Sequence, residues 1–409
     1  MKILMVNKFL HANGGSETYT FQLGGYLNEH GHEVQYFGMD HPHRVVGNEW
    51  DIYTNNMDFH TSKFQKLFYP FKILYSLEAK KKIRTILAEF HPDVVHVNNF
   101  NFQLTPSILY AVRAYDKKHR KKTRIVFTAH DSQLVCPNHL MYNQQLQSVC
   151  VKCMEHTVGA CSKYKCIHGS RLKSILGTLE ARLYGRLHTY RMIDAIISPS
   201  QFLANRLATH PDLAGRIYTM TNFLNQEELI PPSKGVKSES PYALYFGRYS
   251  SEKGIDFLTN ICQELPHVSF RFAGSGPLED RVEKVANITN VGFQQGEDLH
   301  QLIANAQFSL CTSSCYENCP YSVLESQYLG TPVIGVNQGG VSELIQEGKT
   351  GLLYEPQNGQ ELKDKINELW YNSEKCKDMQ QACTEKSYVS LETYVRKLLQ
   401  KYESECIDG

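Results

Sequence analysis

Tyr245-Phe246-Gly247-Arg248-Tyr249-Ser250-Ser251-Glu252-Lys253-Gly254-Ile255-Asp256 reads as the end of a buried strand, a turn carrying two cations, and the start of a helix. Glycines let a backbone leave a strand sharply, and the free amides of the next helix's first turn favour an anion. Arg248 and Lys253 at such an exit suit a diphosphate, including the charge that develops on it as a leaving group. A solvated surface loop is the competing reading of this stretch taken alone.

Outward from this turn, short apolar runs alternate with helix-like segments in two series. The first lies at residues 3–6, 34–37, 94–97, 125–129 and 195–198, and the second at 242–246, 269–273, 308–311 and 332–335. Such alternation predicts parallel strands joined by crossover helices. Residues 225–241 interrupt it with Pro231-Pro232-Ser233 and no apolar periodicity, which marks a linker. The expected organisation is a doubly wound α/β domain over residues 1–222 and a second over 223–388, with ligands at the carboxyl ends of strands in the cleft between them. Residues 389–409 close the chain, with Leu391, Tyr394, Val395, Leu398, Leu399 and Tyr402 on one face of an amphipathic helix.

Composition excludes several classes. At 409 residues, 42% hydrophobic and 21% charged, the chain carries apolar material for two cores, so wholesale disorder is excluded. Forty-three Lys and Arg balance 42 Asp and Glu, leaving no global charge for nucleic-acid binding. No stretch approaches the ~20 apolar residues of a membrane span. Met1-Lys2-Ile3-Leu4-Met5-Val6 turns polar at Asn7, too soon for a signal-peptide core. A cytoplasmic protein with reduced thiols is expected, so its 12 cysteines read as free or metal-bound rather than as a disulfide framework.

Further strand exits carry candidate chemistry. His11-Ala12-Asn13-Gly14-Gly15-Ser16-Glu17 follows the first strand and opens a helix, a place for Gly14 and Gly15 to approach an anion or simply to turn. Gly274-Ser275-Gly276-Pro277-Leu278-Glu279 lacks the third glycine of a dinucleotide fingerprint, which disfavours such a cofactor. Thr128-Ala129-His130-Asp131 brings His130 out at a strand's carboxyl end, where an imidazole can hydrogen-bond a sugar hydroxyl. His96, Asn98 and Asn99 leave a similar strand and read as structural or cleft-lining.

The most specific stretch is Cys315-Tyr316-Glu317-Asn318-Cys319-Pro320-Tyr321-Ser322-Val323-Leu324-Glu325, followed by Gly330-Thr331-Pro332-Val333-Ile334 and Gly339-Gly340. Pro320 marks a helix start, so Glu317 lies in the loop before the helix and Glu325 about a turn and a half inside it. Both carboxylates can reach one cleft. The amides of Tyr321 and Ser322 would meet an anion, and Glu325 can accept two hydrogen bonds from a vicinal diol such as ribose.

With these motifs, nearly the whole chain resembles the family-4 retaining glycosyltransferases of GT-B fold. The resemblance implies two Rossmann-like domains facing across a cleft, with the terminal helix returning to the first. It implies that Arg248 and Lys253 hold a donor diphosphate, Glu325 the ribose, and Glu317 and His130 the transferred sugar. Gly14 and Gly15 would close over the diphosphate, and Val291 and Phe293 would flank the nucleobase. It implies a UDP- or GDP-sugar donor and no catalytic cofactor. The Tyr316-Glu317-Asn318-x-Pro320 form looks like members that build capsules, exopolysaccharides or lipopolysaccharide, with lipid-linked or glycan acceptors. Ser326-Gln327-Tyr328 departs from the small residues the family commonly carries there, so packing behind the donor is expected to differ.

Two features fall outside the motif set. Cys136, Cys150, Cys153, Cys161 and Cys166 crowd an insertion at residues 136–166, where Cys150, Cys153, Cys161 and Cys166 form a candidate structural zinc knuckle, an iron-sulfur cluster being the lesser option. Residues 163–191 carry seven Lys or Arg against one Glu, interleaved with Ile175, Leu176, Leu179, Leu183, Tyr184 and Leu187. Basic tracts also occur at residues 63–84 and 117–124. They suggest peripheral contact with anionic lipid on the inner face of the cytoplasmic membrane. The alternatives to sugar transfer are an epimerase or phosphorylase on the same fold, or a noncatalytic nucleotide-sugar sensor or membrane scaffold.

Overall fold

The computed structural model describes residues 1–56, 69–155, 159–229 and 240–404. Pro231-Pro232-Ser233, Cys406 and the start of the 63–84 tract lie outside the described residues. The first sheet comprises β1 (Lys2–Val6), β2 (Glu33–Phe37), β3 (Val94–Val97), β4 (Arg124–Thr128), β7 (Ala195–Ser198) and β8 (Ile217–Thr219), ordered β2-β1-β3-β4-β7-β8. The second comprises β9 (Ala243–Phe246), β10 (Phe270–Ala273), β11 (Ile288–Gly292), β12 (Phe308–Cys311), β13 (Val333–Val336) and β14 (Gly351–Tyr354), ordered β11-β10-β9-β12-β13-β14. Every pairing within both sheets is parallel.

Parallel sheets need cover on both faces, and the central strands show it: β3, β4, β7, β12 and β13 are buried at every residue. The outer strands β8 and β11 are half-exposed and more polar. A two-stranded hairpin, β5 (Tyr142–Asn143) with β6 (Ser148–Val149), stands in the cysteine-rich insertion.

Among the helices of the described residues are α1 (Gly15–Glu29), α2 (Arg171–Arg186), α3 (Tyr321–Tyr328) and α4 (Leu391–Glu403). Ser390 caps α4, accepting a hydrogen bond from Thr393 N. The α4 helix then lies against the first sheet, burying Leu391, Tyr394, Val395, Leu398 and Tyr402 among Ile3, Met5, Leu23 and Leu27. Its tyrosines reach further than apolar contact. Tyr394 Oη pairs with Tyr19 Oη at 2.9 Å and Tyr402 Oη with His96 Nδ1 at 2.6 Å, while His96 Nε2 meets Thr128 Oγ1 at 2.8 Å. This helix is thereby fastened to α1 through Tyr19 and to β3 through His96, which in turn meets Thr128 of β4.

In the second sheet the chain winds one way from β9 to β10 and the other from β12 to β13. The β9 and β12 strands pair only at Ala243–Phe308 and Leu244–Ser309. Their carboxyl ends therefore flank the switch point, the crevice where doubly wound sheets bind ligands.

Candidate active site

The exits of β9 and β12 bring Lys253 and Glu317 together at that switch point. Gly254 makes their approach feasible: it holds φ +76°, and a Cβ there would stand 2.0 Å from Thr312 O. Ser314 N and Cys315 N both donate to Glu252 O, at 2.9 and 3.2 Å, stitching the two loops. Lys253 Nζ then donates to Glu317 Oε1 at 2.5 Å, and Ser313 Oγ donates to the same oxygen at 2.5 Å. Burial opposes both charges, yet each group more than offsets it for the other. The Lys253 ammonium is held above its usual pKa and the Glu317 carboxyl below its own. The pair stays ionised through the neutral range.

Glu317 and Asn318 sit on a diglycine floor. Gly340 N donates to Glu317 O at 2.8 Å, and a Cβ on Gly340 would stand 1.5 Å from Asn318 O. Asn318 crosses to the first domain, where its Nδ2 donates to Ala129 O at 2.7 Å and its Oδ1 accepts from Ser200 Oγ at 2.5 Å. One residue beyond Ala129 is His130, and one residue before Asn318 is Glu317. The crossing is supported by Glu343, which accepts from Gln201 N at 2.8 Å and Phe202 N at 2.5 Å, and by Tyr316 packed on Phe202 with ring centroids 4.6 Å apart.

His130 Nε2 meets Asn98 Oδ1 at 2.9 Å, and its ring stands edge-on to Tyr19 at 4.8 Å. Burial pushes the imidazole pKa down to about 3. It is neutral at physiological pH, with Nε2–H donating to the amide oxygen. Asn98 Nδ2, Asn101 Oδ1 and Gln133 Oε1, all on these exits, are buried without protein partners among the described residues. Buried polar groups are rarely left so. Nearby, burial raises Asp131 to about 6 and lowers the Lys8 ammonium, the two being electrostatically linked.

The α3 helix begins at Tyr321, directly after Pro320, so Tyr321 and Ser322 supply its first amides and Glu325 lies inside the helix. Burial pushes Glu325 up to about 7. From the other side of the cleft, the α1 turn packs on this helix start: a Cβ on Gly15 would stand 3.2 Å from Tyr321 Cδ2. Behind α3, Ser326 and Gln327 are buried in polar contacts, Ser326 Oγ with Ser309 Oγ at 2.6 Å and Gln327 Oε1 accepting from Lys386 Nζ at 2.7 Å. The larger residues after Glu325 thus pack through hydrogen bonds rather than through small side chains.

Arg248 is exposed at the β9 exit. Val291 is half-buried on β11, and Phe293 just beyond it is 69% exposed. They stand at the carboxyl edge of the same sheet, with Gly292 O accepting from Gly274 N at 2.8 Å. The five insertion cysteines, with Asn138 and Tyr142, line one pocket. Among the described residues, however, no group of three or more His, Cys, Asp or Glu is arranged to hold a metal ion. The zinc knuckle expected at Cys150, Cys153, Cys161 and Cys166 is therefore not set up by this arrangement. Cys136 Sγ donates to Asn138 Oδ1 at 2.9 Å, Cys166 Sγ accepts from Asn143 Nδ2 at 3.6 Å, and burial raises the Cys136 and Cys153 thiols to about 12 and 11.

Two family models match the chain: "Glycosyltransferase Family 4" over residues 13–228 and "Glycosyl transferases group 1" over residues 226–386. The first alone spans more than half of the sequence, and the chain belongs to glycosyltransferase family 4. Its two facing doubly wound domains are the GT-B fold, shared with sucrose-phosphate synthase of Thermosynechococcus elongatus at TM-score 0.72 and 17% identity, over 98% of both chains. HepE of Anabaena, in complex with UDP, superposes at TM-score 0.66 and 16% identity over 99% of this chain and 100% of that one. Among curated relatives, a sulfoquinovosyl transferase of Arabidopsis thaliana is 31% identical across 37% of this chain and 31% of that protein. The chain spans 31 to 58% of the length of three such curated relatives.

Proposed function

We propose that this protein transfers a sugar from a nucleoside diphosphate sugar to a hydroxyl acceptor with retention of anomeric configuration. The observation that carries the reading is the Lys253–Glu317 pair at the switch point, linked through Asn318 to the Ala129 carbonyl beside His130. Arg248, Lys253 and the first amides of α3 would hold the diphosphate, Glu325 the ribose, and Val291 and Phe293 the base, with Gly14 and Gly15 closing over the phosphates. The bond from anomeric carbon to phosphate oxygen breaks, the acceptor oxygen bonds the anomeric carbon on the same face, and the departing nucleoside diphosphate's oxygen takes the acceptor hydroxyl's proton. Two cations and a helix N-terminus stabilise that leaving charge, so the chemistry calls for no metal. Glu317 would stabilise the oxocarbenium-like sugar, and neutral His130 would position it by hydrogen bonding.

Among the described residues no helix is long and apolar enough to cross a membrane. The acceptor we propose is a lipid-linked glycan of surface-polysaccharide assembly, met at the cytoplasmic face of a membrane. One relative is a lipopolysaccharide core glycosyltransferase of Rhizobium meliloti, 25% identical over 41% of this chain.

The test is thermal denaturation with UDP, GDP and ADP and their sugars. A ligand at 100 times its Kd stabilises the folded state by about 2.7 kcal/mol. One base should raise Tm selectively, and Arg248→Ala and Glu325→Ala should cancel the rise; no shift with any nucleotide would sink the reading. Titration calorimetry gives a second check. Only ionised Glu325 accepts both ribose hydroxyls, so nucleotide affinity should fall as pH drops below about 7, by up to ~10-fold per unit. Glu325→Gln should flatten that dependence.

A further inference from the structure

The α2 helix is amphipathic inside out. Its inward residues are Ser174, Gly177, Thr178, Glu180 and Tyr184. Its outward face carries Leu172, Ile175, Leu179 and Leu183, continued by Leu187, at 68%, 37%, 47%, 41% and 55% exposure. These aliphatic side chains recur every three or four residues, so they form one stripe along the helix. Burial would ordinarily turn such a stripe inward, but here polar anchors fix the opposite face. Ser170 caps the helix by accepting from Lys173 N, Ser174 Oγ accepts from Ile167 N at 3.0 Å, and Tyr184 Oη donates to Leu74 O. A contiguous exposed aliphatic stripe calls for a cover.

The charges around it identify the cover. Arg171, Lys173, Arg182 and Arg186 are exposed on the same helix. The helix's single carboxylate, Glu180, is buried, and burial pushes its pKa up to about 8. The outward face is therefore aliphatic and purely cationic. A second copy of the helix would set like charges against each other, and a protein partner would be expected to find aromatic anchors that this face lacks. An anionic bilayer satisfies both components, taking the leucines into its acyl boundary and the cations at its headgroups.

We infer that α2 is the membrane-docking face of this protein and that its partner is a bilayer surface containing anionic phospholipid. The inference deepens the reading of a lipid-linked acceptor, but vesicle binding requires neither donor nor turnover, so either can fail without the other. The test is co-sedimentation of the full chain with phosphatidylcholine vesicles with and without 30% phosphatidylglycerol, a roughly one-third anionic surface. Binding should require the anionic lipid and weaken with salt. Leu179→Glu/Leu183→Glu should lower partitioning at least ~10-fold, and Arg182→Gln/Arg186→Gln by roughly 5-fold per arginine. Both changes lie on the exposed face, so Tm and nucleotide-induced shifts should stay as in the wild type. Equal binding to neutral vesicles, no binding to either, or a dimer in light scattering that Leu179→Glu/Leu183→Glu dissolves would overturn the inference.

Discussion

Glu317→Gln and Lys253→Met are each expected to lower the transfer rate by roughly 10²–10³-fold, a loss on the scale of removing one preorganised charge-stabilising group. The two side chains are one electrostatic unit, joined at 2.5 Å. Glutamine keeps the shape and can still accept from Lys253 and Ser313, so it removes charge with little change in packing. Methionine is harsher, because it strands the Glu317 carboxylate, whose side chain is only 14% exposed. Exposed pairs are worth about 0–1 kcal/mol and breaking a buried one costs about 3–5. With Lys253 at 37% side-chain exposure, Lys253→Met should fall between these limits. The double variant should be as inactive as either single one yet more stable than Lys253→Met alone, since it leaves no unpaired charge. Steady-state kinetics and melting curves on all three proteins decide this, and near-normal turnover from either single variant would remove the pair from the mechanism.

The pair also shows what the sequence could and could not convey. Lys253 and Glu317 each carry a local signal, a cation after a strand and a carboxylate before a proline-started helix. Their partnership spans 64 residues, so they read as separate ligands of phosphate and sugar. In the fold they first bind each other, so the sugar site we propose is built on an ion pair. Asn318's role is hidden for the same reason at greater range, because Ala129 lies 189 residues away and no local pattern announces it. Gly339-Gly340 was the available clue, two adjacent glycines that open the space beneath the Glu317–Asn318 backbone.

The fold class was legible because the buried central strands are continuous apolar runs. The edges were not. The β8 strand is three half-exposed or exposed residues, β11 reads Ile-Thr-Asn-Val-Gly, and β14 begins on a glycine after a polar loop. Strands that meet solvent, as β8 and β11 do, need no unbroken apolar run, so apolar patterning passes over them; β14 is mostly buried but only four residues long and opens on Gly351. The α2 helix marks a further limit: periodicity showed that its leucines share a face but not that the face points outward. That orientation is set by Ser174 and Tyr184, whose partners lie in other segments.

Asn318→Ala is expected to cost transfer about 10–100-fold while leaving nucleotide affinity unchanged. Asn318 contacts the first domain one residue from His130 and follows Glu317 in the second, so its two hydrogen bonds set the distance between the facing halves of the site. Misplacement of reacting groups by ~1 Å can cost ~10²-fold, and without the amide the cleft loses the crossing that joins the Glu317 loop to the Ala129 carbonyl. The residues we propose to hold the donor lie mainly in the second domain, which is why kcat should fall and the Kd for nucleotide should not. Asn318→Asp separates positioning from bulk. Aspartate can still accept from Ser200 Oγ, but at Ala129 O it faces a carbonyl oxygen with no proton to donate, so it should be no better than alanine. Ser200→Ala keeps the Ala129 bond and should be milder. Gly340→Ala should reproduce the Asn318 defect from below, because its Cβ would displace the Asn318 carbonyl. Small-angle scattering adds a readout independent of turnover: Asn318→Ala should expand relative to wild type at equal Tm. A wild-type rate from Asn318→Asp, or nucleotide affinity falling in step with kcat, would show that the crossing does not align the two halves.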